Sequence, residues 1–168
     1  MRPEIQVSHV TEGKPIDQNL DASGLKFAVL CARFNAEITE RLLDGALEAL
    51  QRSGASTTDV EVLRVPGSWE LPIAAQAFAA SAKKCDAIIA LGAVIRGDTP
   101  HFDYVAGETA RGLMAVQLET GIPVAFGVLT THTAEQAADR AGGKDGNKGY
   151  DAALTAIEMA NLVRRLRK

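Results

Sequence analysis

Residues 86–104 read DAIIALGAVIRGDTPHFDY. The run Asp86-Ala87-Ile88-Ile89-Ala90-Leu91 is short and almost wholly apolar, as a strand buried on both faces is. Beyond it, Gly97-Asp98-Thr99-Pro100 spells a helix start, with Thr99 at the N-cap and Pro100 at the first helical position. The strand therefore delivers its C-terminal end to a turn of free backbone N–H groups. Unpaired amides and the helix dipole both favour negative charge in such a turn. His101 stands beside it. Two readings are open on these residues alone: an ordinary strand-to-helix connection, or an anion seat with a titratable imidazole next to it.

Working outward, the pattern alternates. Strands are expected near 25–31, 60–65, 86–95 and 122–129, and helices near 36–53, 69–82, 101–120, 133–141 and 150–166. Gly54 and Gly121 fall where helices should end. Thr133 with Gln136 reads as a capping box, and GGKDGNKG at 142–149 reads as a loop. Strands that alternate with helices imply a parallel sheet covered on both faces. Right-handed crossovers then gather the strand ends at one edge, where sites belong. Arg33-Phe34-Asn35, Pro66 to Glu70, Val94 to His101 and Phe126 to Thr131 are expected there. Residues 1–24 are mixed and polar, either a disordered arm or one that needs a partner. Within them Ile5 to Val10 alternates as a half-buried strand would.

The bulk numbers bound the possibilities. A chain of 168 residues, 46% hydrophobic and 23% charged, is an ordinary single globular domain. A net charge of −3 supplies no basic field for nucleic acid and no polybasic patch for a membrane. The cluster Arg164-Arg165-Leu166-Arg167-Lys168 ends a helix, where cations suit the dipole. No transmembrane run or signal peptide is read. Cys31 and Cys85 are expected in buried strands as free thiols, which fits the cytoplasm, and neither clusters with His9, His101 or His132 into a metal site.

Familiar phosphate motifs fail. GGKDGNKG lacks the P-loop spacing, and no G-x-G-x-x-G follows the first strand. That strand ends in Cys31-Ala32-Arg33, without the acidic pair of a phosphorylated receiver. Aromatics are 5% of the chain, so Phe34 at the site edge is either a stacking face for a flat ring or simple packing. Trp69 is the only tryptophan; Glu70 beside it is either a dipole-favoured surface acid or an acceptor for hydroxyls. Arg140 and Lys148 flank the glycine loop, and Arg140 reads as a solvated ion pair or as a bidentate phosphate ligand.

Together these motifs resemble the 6,7-dimethyl-8-ribityllumazine synthase family of riboflavin synthesis, from about Leu25 to about Leu162. The resemblance rests on RFN at 33–35, PGSWELP at 66–72, GAVIRGDTPHFDYV at 92–105, GVLTT at 127–131, DRAG at 139–142, and GNKG with EMANL near the end. Their order and spacing carry it jointly. It implies a three-layer α/β/α sandwich whose four-stranded parallel sheet has flavodoxin-like order, in one domain over 1–168. It implies condensation of 5-amino-6-(D-ribitylamino)uracil with 3,4-dihydroxy-2-butanone 4-phosphate, without metal or cofactor.

By position, the resemblance implies that Phe34 stacks on the pyrimidine. Asn35 and Glu70, with the backbone of Ser68 and Trp69, would hold the ribityl hydroxyls, and Val94 and Ile95 would line the ring pocket. Gly97, Asp98 and Thr99 would form the phosphate turn, and His101 would move protons. Phe126, Arg140 and Lys148 would come from a neighbouring subunit. The chain departs from commoner family residues at Trp69, Asp98 and Asp139; Asp98 is expected to point outward, since an acid facing phosphate would repel it. The Ile5–Val10 strand is expected to add to a neighbour's sheet edge. The resemblance further implies pentameric rings and, since family members with a loop as short as 142–149 tend to close them, twelve pentamers in an icosahedral shell, with riboflavin synthase as a candidate partner. A non-catalytic flavin or lumazine carrier and a structural shell protein are the alternatives; the presence of both His101 and Arg140 favours the enzyme.

Overall fold

The computed structural model describes residues 18–168. Four parallel strands form the central sheet: β1 (Phe27–Ala32), β2 (Val60–Val65), β3 (Ala87–Ile95) and β4 (Val124–Thr131). Their spatial order is β2-β1-β3-β4, the flavodoxin-like order expected. In register, Phe27 lies beside Val60 and Ala87, and Ile88 beside Val124.

Composition sorts the strands into centre and edge. FAVLCA in β1 is buried at every residue, and AIIALGAVI in β3 at all but its last. Such strands need cover on both faces. β2 and β4 lie at the edges and carry exposed positions, among them Val62, Arg64, Phe126 and Thr130.

Five helices supply the cover. α1 (Ala36–Arg52) and α5 (Lys148–Leu166) lie on one face, with α4 (Ala134–Arg140) at its end. Leu42, Ala46, Ala49 and Leu50 of α1 and Ala153, Ala156 and Ile157 of α5 close that core over Val29, Ile89 and Leu91. α2 (Leu71–Ala80) and α3 (His101–Thr120) lie on the other face, where Leu71, Ala75, Leu113 and Val116 meet Leu30, Ile88 and Ala90. α1 and α5 approach closely because Gly149 has no side chain: a Cβ there would overlap the Leu42 carbonyl.

Several local expectations hold, and several need correction. Gly54 and Gly121 adopt φ of +92° and +67° past α1 and α3, as helix-ending glycines do. Thr133 Oγ1 accepts from the Gln136 amide at 3.1 Å, but Gln136 Oε1 accepts from the His132 amide, one residue earlier than a standard capping box. Thr99 is not the N-cap of α3. Pro100 holds that place in helical conformation, and its carbonyl accepts from Asp103 N at 3.0 Å, so the first turn tightens and the helix begins at His101. The glycine-rich stretch is not merely a loop. Its first part forms an antiparallel hairpin of β5 (Ala141–Gly143) and β6 (Gly146–Asn147), and α5 starts directly at Lys148 because Asn147 Oδ1 caps the Gly149 and Tyr150 amides. Cys85 precedes β3 and is half-buried, whereas Cys31 is buried in β1; both are free.

The arm expected over residues 1–24 is bound to the domain over its described part. Ala22 is fully buried, and Asn161 Nδ2 donates to the Asn19 and Asp21 carbonyls. Ile5 to Val10 lies outside the described residues. The C-terminal cations tie elements together: Arg164 reaches Asp86 and the Gly24 carbonyl, and Arg167 donates to the Gly121 carbonyl at 2.8 Å. Among the described residues, no helix is long and apolar enough to cross a membrane.

Candidate active site

The ends of β1, β2 and β3 open onto one groove of about 470 Å³, a size that suits a small molecule. It gathers Phe34, Asn35, Ser68, Trp69, Glu70, Val94, Ile95, Gly97, Thr99 and His101. Phe34 is 71% and Trp69 55% exposed, so neither ring is spent on the core.

The first wall is built where β1 turns into α1. Phe34 N donates to the Pro66 carbonyl at 3.0 Å, which ties this turn to the end of β2. Asn35 takes the left-handed conformation at φ 60°, one that asparagine tolerates better than most residues. Its Nδ2 donates to the Ala93 carbonyl at 2.8 Å, leaving Oδ1 to accept from a ligand.

The second wall is a 3-10 turn over Ser68–Glu70 that leads into α2. Ser68 is buried, and its Oγ lies against Gly92, where any Cβ would overlap it. The Ser68 carbonyl is occupied by the Thr109 hydroxyl at 3.0 Å. The amides of Ser68 and Trp69 open a helical turn and have no partner within it. The Glu70 carboxylate and Phe34 Cβ lie 3.4 and 3.8 Å from where a Cβ on Gly67 would stand.

The third wall is the turn from β3 into α3. Arg96 N donates to the Thr131 carbonyl at 2.9 Å. Space above Gly97 is open, with nothing within 4 Å of where a Cβ would stand, so a bulky anion can approach the backbone. Asp98 is exposed and is not among the residues that line the groove. His101 is exposed at the first residue of α3, and its ring takes no hydrogen bond among the described residues.

Phe126 and Lys148 line a different groove, of about 410 Å³, with Val128, Asp151 and Thr155. Phe126 does not lie at the common edge. It pairs with Ala90 midway along the sheet, and the remaining strand to Thr131 spans roughly 16 Å. Arg140 lines neither groove: its Nη1 pairs with Asp145 at 3.2 Å and donates to the Gln136 carbonyl. Lys148 pairs with Asp151 at 2.9 Å, and Lys144 with Asp139 at 3.0 Å. The hydrogen bond that Lys144 donates to Asp139, with the charges of Asp139 and Asp145, holds the Lys144 ammonium above its ordinary pKa.

Two lining residues of α3 escaped the sequence. Phe102 and Val105 line the groove, and the i, i+4 spacing of His101 and Val105 on α3 was the signal for the latter. Arg96 reaches Asp103 Oδ1 at 2.8 Å and stacks over Phe102 with its guanidinium 4.4 Å from the ring centroid, bracing the turn that carries Gly97 to Thr99. Among the described residues, no three His, Cys, Asp or Glu side chains are grouped to hold a metal ion.

A family model described as 6,7-dimethyl-8-ribityllumazine synthase matches residues 24–164. A 6,7-dimethyl-8-ribityllumazine synthase of Desulfotalea psychrophila is 60% identical over 148 residues, covering 88% of this chain and 95% of the relative. Another of that name, from Syntrophus aciditrophicus, is 56% identical over 157 residues, covering 94% and 98%.

Proposed function

The chain belongs to the 6,7-dimethyl-8-ribityllumazine synthase family, and we propose that its groove at the ends of β1, β2 and β3 is one half of an active site that a second chain completes. The reaction condenses 5-amino-6-(D-ribitylamino)uracil with 3,4-dihydroxy-2-butanone 4-phosphate to 6,7-dimethyl-8-ribityllumazine, a step of riboflavin synthesis. An amine attacks a ketone, water leaves as the imine forms, phosphate is eliminated, and ring closure expels water again. Both reacting groups belong to the substrates. Proximity and orientation are the protein's main contribution, and they can lower a barrier by about 7–11 kcal/mol.

Each wall has a task in this reading. Phe34 stacks on the pyrimidine, and Val94 and Ile95 bound its edge. Asn35 Oδ1, Glu70 and the amides at Ser68 and Trp69 hold the ribityl chain. The turn of Gly97, Asp98 and Thr99 takes the phosphate through its backbone. His101 moves protons during dehydration and elimination, because an imidazole can both donate and accept a proton.

One observation carries the shared site: among the described residues, the groove's lining contains no lysine or arginine. Cations strengthen the hold of backbone amides on a phosphate dianion, and the basic residues that suit it stand outside this groove: Lys148 lies with Phe126 in a second groove, and Arg140 beside Asp145. A neighbouring chain that lays this second surface over the groove supplies them. We place the chains in pentameric rings, twelve of which close into an icosahedral shell, and the enzyme in the cytoplasm, where Cys31 and Cys85 stay reduced.

Complementation tests the division. Phe34→Asp disables the groove and Arg140→Ala the other half; both residues are accessible enough for the variants to fold. Unfolded together and refolded, equal amounts restore about a quarter of the sites by random pairing. A mixture no more active than its parents, or a monomer with full turnover of both substrates, refutes the shared site. Sedimentation at neutral pH tests the shell, which a single species at pentamer mass across phosphate levels would overturn.

A further inference from the structure

Arg140 is not a free cation. Its guanidinium already holds a carboxylate, that of Asp145, at 3.2 Å. The position of that carboxylate is built in. Gly142 and Gly146 take φ of +92° and +79°, which fold β5 onto β6. Gly143 lies so close to α4 that a Cβ would come within 2.6 Å of Asp139 Cα and 2.8 Å of the Ala138 carbonyl. Asp145 N donates to the Asp139 carbonyl at 3.0 Å, so the tip of the hairpin is tied by its backbone to the helix that carries Arg140. The neighbouring acid, Asp139, is engaged by Lys144. Asp145 is thus the one carboxylate of this hairpin that faces Arg140.

We propose that Asp145 is an internal stand-in for the substrate phosphate, a residue that sets how tightly the site holds phosphate. This rests on the reading of Arg140 as a phosphate ligand. Between turnovers the carboxylate keeps the guanidinium aimed and neutralised. When the phosphorylated substrate enters, its oxygens displace or share Asp145 on Arg140. When inorganic phosphate has been eliminated, Asp145 returns to Arg140 and favours its departure. A carboxylate beside an arginine competes with phosphate for the same donors and repels its charge, so affinity is lower than Arg140 alone would give. The pair is partly exposed, which limits the factor to that of a solvated ion pair, about two- to fivefold.

The test uses inorganic phosphate as a competitive inhibitor against 3,4-dihydroxy-2-butanone 4-phosphate, in the assembled enzyme. Asp145→Asn preserves shape, and the hairpin is held by backbone atoms that the substitution leaves in place. The expected result is a two- to fivefold lower inhibition constant for phosphate and a matching fall in KM for the phosphorylated substrate, with KM for the pyrimidine unchanged. Asp145→Ala should give the same direction, and the gain should vanish in Asp145→Asn combined with Arg140→Ala. If Arg140→Ala weakens phosphate and Asp145→Asn leaves it unchanged or weaker, the stand-in role is overturned and Arg140 keeps its assignment. If Arg140→Ala itself leaves phosphate affinity unchanged, the reading of Arg140 falls, and this inference falls with it.

Discussion

The side-chain amide of Asn35 donates to the Ala93 carbonyl at 2.8 Å while the Asn35 backbone sits in the left-handed region at φ 60°. One residue thereby joins the end of β1 to the end of β3 and turns the chain into α1. Two separable terms follow. The hydrogen bond is worth about 1 kcal/mol. The left-handed backbone costs a residue with an ordinary Cβ roughly 1–2 kcal/mol more than glycine.

Asn35→Gly should therefore lose about 1 kcal/mol of stability, and Asn35→Ala about 2 kcal/mol or more. Urea midpoints would measure both. Equal stability of the two variants would show that the backbone strain contributes nothing.

Phe34 is mostly exposed, so its removal should leave the urea midpoint almost unchanged. Phe34→Ala should raise KM for the pyrimidine by about two- to tenfold, the factor that aromatic pair geometry carries. Phe34→Trp should retain activity. Pyrimidine binding by Phe34→Ala that equals the parent's would remove Phe34 from the site.

His101→Ala should lower kcat with little change in KM. General acid–base groups commonly contribute about 10²–10⁴-fold, and the loss here should fall below that range. Orientation by the three walls survives the substitution, and the departing phosphate can itself move protons. An unchanged kcat and pH profile would end the assignment.

Burial, with a smaller contribution from Asp86, pushes the Cys85 thiol up to about 11. At pH 8 the folded thiol stays protonated and should react slowly with iodoacetamide, and denaturant should speed the reaction. The stability effect has a definite sign. From about pH 9, the thiol of the unfolded chain loses its proton while the folded one keeps it, so this contribution to stability declines as pH rises towards 11. Titration of the folded Cys85 below pH 9, followed by thiolate absorbance in a Cys31→Ser background, would contradict it.

The sequence made the sheet legible because β1 and β3 are apolar without interruption, and only a strand covered on both faces tolerates that. It made the groove legible because three strand ends and a chain order place Phe34, Glu70 and His101 at one edge. What it concealed depends on pairing and side-chain detail. Glycines in GGKDGNKG look like a loop by composition, and the hairpin there exists because Gly143 can press against α4. The sequence groups Phe126 with the strand-end segment Phe126 to Thr131; in the structure it lies beside Ala90 near the start of β4, a strand's length from that edge. By sequence Pro100 suits the first helical position, but it stands at the N-cap, one place earlier in the turn. The ion pairs of Arg140 and Arg96 join residues five and seven apart across turns, where no helical spacing predicts a meeting.

The two grooves share no lining residue, and this has a consequence for counting. With the site divided as proposed, an open row of chains leaves an unused half at each end and holds one working site fewer than its number of chains. A closed ring wastes neither half. Activity per chain then reports closure itself: dilution that opens rings removes turnover without altering any single chain's fold. Damage propagates the same way, since a substitution near Arg140 silences the site of the chain next door rather than its own.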